Sequence, residues 1–524
     1  MLPEQYYLGI VILLFALAIT DLVVGVSNDA VNFLNSSIGS KVASRKVIMT
    51  IAGLGIFTGA LFSSGMMEIA RKGIFVPELF SFQEVMIIFL AVMLTDILLL
   101  DLFNSFGMPT STTVSIVFEL LGASVVMALL KLWFNDNPDA DGVLAYINTS
   151  KAVAIIGGIF LSVFFAFSIG TIVQYATRLV YSFQIERAKS WVNQVFFSIC
   201  LSSISYFLVF KGLSGVSFLS QACVAYAQEH AAALSGGAFV FWLVVGRALT
   251  AFQVNLLRVV VLFGTFSLAM SFAGNDLVNF IGVSIAGLES YLIWRSMGVA
   301  PDAFMMDALS EPIQTNTILL VLAGLIMVVT LWFSKKAQSV TDTEVKLGRQ
   351  HDGDERFKPT AFARFMMKLF QHSNAYLTAR LPERVMHKIN ARFEPVAQAL
   401  PEEERPAFDL VRASINLTVA SLLISLATSL KLPLSTTYVS FMVAMGTSLA
   451  DRAWGSASAA SRIAGVTNVV GGWFLTALIA FTVSGCFALL IEWGGVPAIM
   501  AITAAVFYSI YRTFRLHQHR SKKG

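Results

Sequence analysis

The chain has 524 residues, 56% of them hydrophobic and only 13% charged, with a net charge of +4. A soluble globular chain carries about 25% charged residues, so this composition excludes a soluble domain and points to a polytopic membrane protein. The small net charge gives no footprint for nucleic acid, and three cysteines in apolar stretches (Cys200, Cys223, Cys486) suggest neither a disulfide framework nor a metal site.

Apolar runs recur at about 8–27, 46–65, 83–103, 152–174, 194–213, 237–273, 317–334, 411–430, 464–485 and 496–511. Each is long enough, or nearly so, to cross a hydrocarbon core of about 30 Å as a helix. The opening "MLPEQYYLGIVILL" lacks a basic n-region and a cleavage site, so it reads as a retained first helix. Shorter apolar segments at 30–40, 111–131, 277–288 and 435–449 fit re-entrant hairpins or broken helices better than full spans. The fold expected is all-α, with about 10–12 transmembrane helices.

Directly after the first apolar run comes "GVSNDAVNFLNSSIGS" at 25–40, and polar groups in hydrocarbon need a partner or a water-filled cavity. A second polar stretch, "NSFGMPTSTTVS", follows at 104–115. Asp21, Asp96, Asp101, Glu119, Lys131, Arg247 and Arg258 also interrupt apolar stretches; pairing or interfacial roles are expected for them, and an interfacial one for Glu68. Residues 335–410 differ in kind: they are charged, with 13 Lys and Arg, and read as a solvated cytoplasmic insert whose 360–400 portion could form amphipathic helices. The tail, 512–524, is basic.

Both polar stretches occur twice. "AGNDLVNFIGVSIAG" at 273–287 repeats Asn-Asp-x-x-Asn-Phe, so Asn28, Asp29 and Asn32 pair with Asn275, Asp276 and Asn279. "TSLKLPLSTTYVS" at 428–440 repeats Pro-x-Ser-Thr-Thr, pairing Pro109, Ser111, Thr112 and Thr113 with Pro433, Ser435, Thr436 and Thr437. Asn28 to Ser111 is 83 residues and Asn275 to Ser435 is 160; the excess of 77 nearly equals the 76-residue insert. The chain is therefore an internal repeat. Its parts are 1–134 and 256–334 with 411–511, joined by connecting helices at 135–255 and interrupted by 335–410.

Either motif alone would be an ordinary helix cap, or hydroxyls bonding back to their own helix. Two buried copies at matched positions point instead to a secondary transporter with its site near the midplane, between inverted repeats. In this reading the Asn-Asp cluster ends a broken helix. Pro ends each incoming segment, and the Ser-Thr-Thr hydroxyls cap the exposed N–H groups of a half-helix suited to an anion.

At these residues the chain resembles the inorganic phosphate transporter (PiT) family, whose members carry Gly-Ala-Asn-Asp-Val-Ala-Asn in each half and Pro-Val-Ser-Thr-Thr-His further on. Here the matches read "VSNDAVN", "AGNDLVN", "PTSTTV" and "PLSTTY". "MMEIARKGIF" is similar to a Thr-Ile-x-Lys-Gly-Ile stretch, and "GGWFLTALIA" to a late Trp-x-x-Thr helix. The chain departs from the pattern at Val26-Ser27, at Val114 and Tyr438 in place of His, and around Gly55–Thr58, where many members have an acidic residue.

The resemblance implies import of inorganic phosphate with Na⁺, or with H⁺ as in many bacterial members, by a multi-pass protein of the cell (inner) membrane, with a homodimer as one oligomeric option. The motifs offer oxygen and amide ligands and no Lys or Arg, and hard cations take oxygen ligands. Asp29, Asn32, Asp276 and Asn279 are therefore expected to coordinate the cation. Asn28, Asn275, Ser111, Thr112, Thr113, Ser435, Thr436 and Thr437 are expected to hold the anion. No other cofactor is expected. A sulfate permease of the same fold and a passive anion channel are the competing functions. An enzyme is not expected: His351, His372 and His387 lie in the insert, His517 and His519 in the tail, and only His230 near the membrane, with no metal or nucleophile–base spacing.

Overall fold

A computed structural model describes residues 3–63, 67, 70, 73–106, 110–134, 142–206, 208, 226, 229–310, 316–334, 336–350, 361, 364–365, 368, 382–394, 405–430, 432, 434–453 and 459–521. Pro109, Pro433, Glu68 and most of 351–404 lie outside them. The described residues form helices and no strand, with two isolated bridges, Phe75 to Ile147 and Ser81 to Met305.

The first half comprises α1 (Pro3–Asp29), α2 (Val31–Gly39), α3 (Arg45–Leu61), α4 (Phe82–Phe106) and α5 (Thr112–Phe134). Connecting helices are α6 (Thr149–Val180), α7 (Ser190–Tyr206) and α8 (Ala231–Ala251). The second half comprises α9 (Leu256–Met297), α10 (Thr317–Phe333), α13 (Leu410–Ser429), α14 (Thr436–Ala450) and α15 (Ala459–Ser521), with α11 (Lys336–Gly348) and α12 (Glu383–Arg392) between α10 and α13. Eight described segments are long and apolar enough to cross a membrane, so the protein is a multi-pass membrane protein. The runs expected at 464–485 and 496–511 are two helices that meet at a kink at Gly495 (φ 55°, ψ −139°), two residues before Pro497. The run 237–273 splits at 252–255, where Asn255 caps α9 by accepting from the N–H of Leu257 at 3.1 Å and of Arg258 at 3.3 Å.

Helix packing in one half recurs in the other. α1 packs on α4 as α9 packs on α13, and α4 on α5 as α13 on α14. Behind them α5 lies against α15 as α14 lies against α6. The last two contacts depend on one glycine each. A Cβ on Gly122 would sit 2.0 Å from the Phe481 carbonyl oxygen, and one on Gly446 would sit 2.3 Å from that of Phe167. Small residues let membrane helices approach backbone to backbone. Gly122 and Gly446 are separated by the same 324 residues as Ser111 and Ser435.

Two expectations are corrected here. The Asn-Asp motifs do not end broken helices. Ala30, between α1 and α2, keeps helical angles (φ −55°, ψ −28°) and bonds to Val26 O at 3.0 Å, while α9 runs through the second motif uninterrupted. Neither motif contains a proline, and lateral partners satisfy its polar side chains, so the helix has no reason to stop. The chain does break at the Ser-Thr-Thr segments, where α5 and α14 begin; even so, α5 is a full-length helix rather than a half-span.

The start of the charged insert is also not a solvated linker. α11 buries Ala337, Val340, Thr341, Thr343, Glu344 and Leu347 against α2, α1 and α14. Its apolar residues recur at helical spacing, which gives it a face to bury despite its net polar composition.

Candidate functional site

Two helix N-termini and two polar helix midsections meet at the centre. Ser111 caps α5, its Oγ accepting from Val114 N at 3.1 Å; Ser435 caps α14, accepting from Tyr438 N at 3.1 Å. Both Ser-Thr-Thr motifs thus start helices as expected. Their serines hold the local backbone, which leaves the threonines to face the Asn-Asp motifs.

The hydrogen bonds there follow a two-fold pattern. Asp29 accepts from Thr112 of its own half at 3.1 Å and from Thr437 of the other at 3.2 Å. Asp276 accepts from Thr436 of its own half, and from Thr113 of the other at 3.2 Å. Asn32 Nδ2 donates across to Thr436 at 3.2 Å and Thr437 at 3.1 Å; Asn279 Nδ2 donates across to Thr112 at 3.2 Å and Thr113 at 3.0 Å. Each half therefore supplies part of the other's site.

The leading asparagines stay within their own halves. Asn28 accepts from Thr110 N at 3.1 Å and donates to Asn104 at 2.8 Å; Asn275 donates to the Leu434 carbonyl at 2.8 Å and meets Thr428 at 3.5 Å. They position the Ser-Thr-Thr segments. The structure thus brings Asp29, Asn32, Asp276, Asn279, Thr112, Thr113, Thr436 and Thr437 together, with Asn275 also donating to Asp276 at 2.6 Å, and places Asn28, Ser111 and Ser435 one layer behind.

None of the twelve residues is more than 3% exposed, so the centre is closed to solvent. Among the described residues neither Asp29 nor Asp276 has a basic partner. Two buried carboxylates without a counter-ion are costly unless they are protonated or meet a cation. Among the described residues no group of three or more His, Cys, Asp or Glu is set to hold a metal. The oxygen-rich surroundings of the two aspartates come instead from hydroxyls and amides.

Some residues named from the sequence without a role in the site lie beside it. Thr476 meets Thr110 at 2.9 Å, and Trp473 stacks on Tyr438 at 3.7 Å between centroids, so one turn of α15 supports both Ser-Thr-Thr segments. The Trp-x-x-Thr stretch carried that signal. Asp21, Asp96 and Glu119 are fully buried on α1, α4 and α5; Asp21 and Asp96 face each other, and Ser115 donates to Glu119 at 2.6 Å. The expected pairing does occur at Lys131, which bonds Glu84 at 2.9 Å.

A membrane bundle whose core is a two-fold set of buried carboxylates, amides and hydroxyls has the architecture of a membrane transporter. A profile of the phosphate transporter family matches residues 25–338, and the chain belongs to that family. Archaeal proteins assigned as phosphate permeases are similar over parts of their length. One from Pyrococcus abyssi is 32% identical over 193 residues, 36% of this chain and 45% of that protein; one from Thermococcus kodakarensis is 36% identical over 104 residues, 20% and 26%. The chain thus matches less than half the length of these relatives. A solved structure entitled the sodium-dependent phosphate transporter shares the fold, with a TM-score of 0.62 at 17% identity over 93% of this chain and 99% of that one.

Proposed function

We propose that the protein is a secondary active transporter that imports inorganic phosphate across the cell (inner) membrane by cation symport, with Na⁺ as the coupling ion. The observation that carries this reading is the closed two-fold centre, where Thr112, Thr113, Thr436 and Thr437 spend their hydroxyl protons on Asp29 and Asp276. A cation bound to these carboxylates and to Asn32 and Asn279 takes over their negative charge. The threonine hydroxyls are then released to donate to an oxyanion, which has no basic residue to meet. Anion affinity therefore depends on the cation, which is the requirement for coupling. Phosphate, unlike sulfate, keeps a proton near neutral pH and can donate to a carboxylate oxygen. The two halves act as inverted repeats, each closing the path from one side.

The test is labelled phosphate uptake into proteoliposomes holding the purified chain. Uptake should concentrate phosphate when an inward Na⁺ gradient is imposed, and should persist when a protonophore collapses the pH gradient. Uptake driven by the pH gradient alone would transfer the coupling role to H⁺. Equilibration without accumulation under either gradient would make the protein a passive channel, and preference for labelled sulfate would overturn the substrate.

A further inference from the structure

The helix that opens the charged insert is fastened to the site helices at both ends and in the middle. Ser334, just before α11, donates to Ser27 at 2.7 Å, next to the first Asn-Asp motif. Midway along α11, Glu344 accepts from Asn35, one turn beyond Asn32, and is 0% exposed. Beyond its last turn, Gln350 N donates to Ala407 O at 2.8 Å, and Ala407 N donates to Gly39 O, the end of α2, at 2.8 Å. Gln350 Nε2 also reaches Asp451 at 3.1 Å; Asp451 is held by Arg178, which bonds Asp409 as well. α11 is thus seated over the end of α2, the helix that carries Asn32. Asn35 falls opposite Gly282 in the repeat, so the second half has no such anchor.

Glu344 is the weak point of this seat. Its Oε2 has no hydrogen-bond partner, and Asn35 is a neutral donor. The elements packed on α11 bring charge elsewhere. α2 carries none and α14 offers Tyr438, buried behind Trp473; Asp29 on α1 is taken up by threonines, and Asp101 on α4 is held by Thr513 of α15. Arg412 of α13 lies against Gly348, one turn further along, bonded to Thr447 and Ala444 O, while Arg515 of α15 stacks on Tyr511. None of them is a cation placed on Glu344.

We propose that Glu344 is a proton-binding site whose occupancy keeps α11 seated on α2, so that loss of the proton releases this helix and opens one face of the site. Burial pushes the seated carboxyl up to about 8, with Asn35 opposing it, whereas an unseated Glu344 in water returns towards 4.5. Seating therefore takes up a proton between these values. The seated-to-released ratio is constant below about 4.5, falls tenfold per pH unit up to about 8, and is constant again above.

The inference concerns the face of the site proposed above, but the test needs no transport. Spin labels at Asp342→Cys on α11 and Lys46→Cys on α3, both exposed, in a chain with its three natural cysteines replaced by alanine, report the separation of the two helices in lipid nanodiscs. At pH 5 one distance is expected; a second, longer population should grow through pH 8 and then level off. Glu344→Gln should keep the pH 5 distribution at pH 8.5. Asn35→Leu, which removes the donor to the charged form, should move the levelling-off above pH 8. An unchanged distribution from pH 5 to 8.5 in the native chain, or an unchanged pH response in Glu344→Gln, overturns the proposal. Phosphate uptake by the same variants shows separately whether release changes transport.

Discussion

The two halves agree at the centre and differ on the way to it. Every hydrogen bond from Asp29 or Asn32 to a Ser-Thr-Thr threonine has a counterpart from Asp276 or Asn279, and Gly122 has its counterpart in Gly446. Away from the centre the correspondence stops. At the repeat offsets Asp21, Asp96 and Glu119 fall opposite Leu268, Ala420 and Val443, all buried and apolar. A site that must present itself to opposite sides needs matched ligands. In the alternating-access function proposed above, the residues that flank the centre face different solutions and need not match.

The largest expected effect tests the matched part. Asp29→Asn and Asp276→Asn each keep shape and hydrogen-bonding capacity but remove a charge from a group that holds two threonines. Each should lower Na⁺-driven phosphate uptake by about 100-fold, the scale of about 3 kcal/mol for a buried charged hydrogen-bonding group. Both should shift half-saturation for Na⁺ upwards. A loss confined to one of the pair breaks the equivalence of the halves; wild-type Na⁺ dependence in both removes the carboxylates from coupling.

Gly122→Ala and Gly446→Ala test the same equivalence in the scaffold. Alanine favours helix by about 1 kcal/mol over glycine, but its Cβ would meet a carbonyl oxygen at 2.0 or 2.3 Å. Overpacking of this kind costs about 1–3 kcal/mol. Both variants should therefore unfold at lower temperature in a detergent melt. Unchanged melting would mean that the backbones separate without cost.

Thr112→Val and Thr436→Val should act more gently and more selectively. Removing one hydroxyl whose partner stays buried costs about 1–3 kcal/mol. The half-saturating phosphate concentration should rise roughly 5–150-fold, with less change in Na⁺ dependence than for the aspartates. Equal loss in both dependences would place these threonines with the cation instead.

Most of the centre was legible because the chain states it twice. Spacing alone matched Asn28 to Asn275 and Ser111 to Ser435, and composition alone gave a helical membrane protein. What the sequence did not show is which side chains cross between halves. The exchange of Thr113 and Thr437 depends on the N-termini of α5 and α14 meeting at the centre, a tertiary arrangement that no local pattern carries. Broken helices were expected at Asn-Asp because polar residues usually mark ends; here each one has a lateral partner on another segment, within its own half for Asn28 and Asn275 and across the halves for Asn32 and Asn279, and the helix continues. Glu344 was hidden in a segment whose charge dominates its composition, although Ala337, Val340 and Leu347 mark a buried face.

The smallest effect sharpens the boundary between site and appendage. Replacing 351–404 by a short flexible linker should leave the half-saturating phosphate and Na⁺ concentrations within about twofold of wild type, the level at which surface changes act. The retained pieces keep the contacts to the site helices, Gln350 its bonds to Ala407 and Asp451, Ala407 its bond to Gly39, and Phe408 its packing against that glycine, while the stacking of Phe393 on Tyr175 and Arg452 is lost away from them. Closing a loop of different length over these fixed ends changes the free energy little, because the entropy grows only with the logarithm of loop length. Replacing all of 335–410 is a different experiment. It removes α11, leaves Asn35 without its carboxyl partner, and takes away Asp409, which caps α13 through Arg412 N at 2.9 Å and pairs with Arg178. That variant should melt at lower temperature and transport less per folded molecule. Equal behaviour of the two deletions would show that α11 and the Asp409 cap contribute nothing to the closed site.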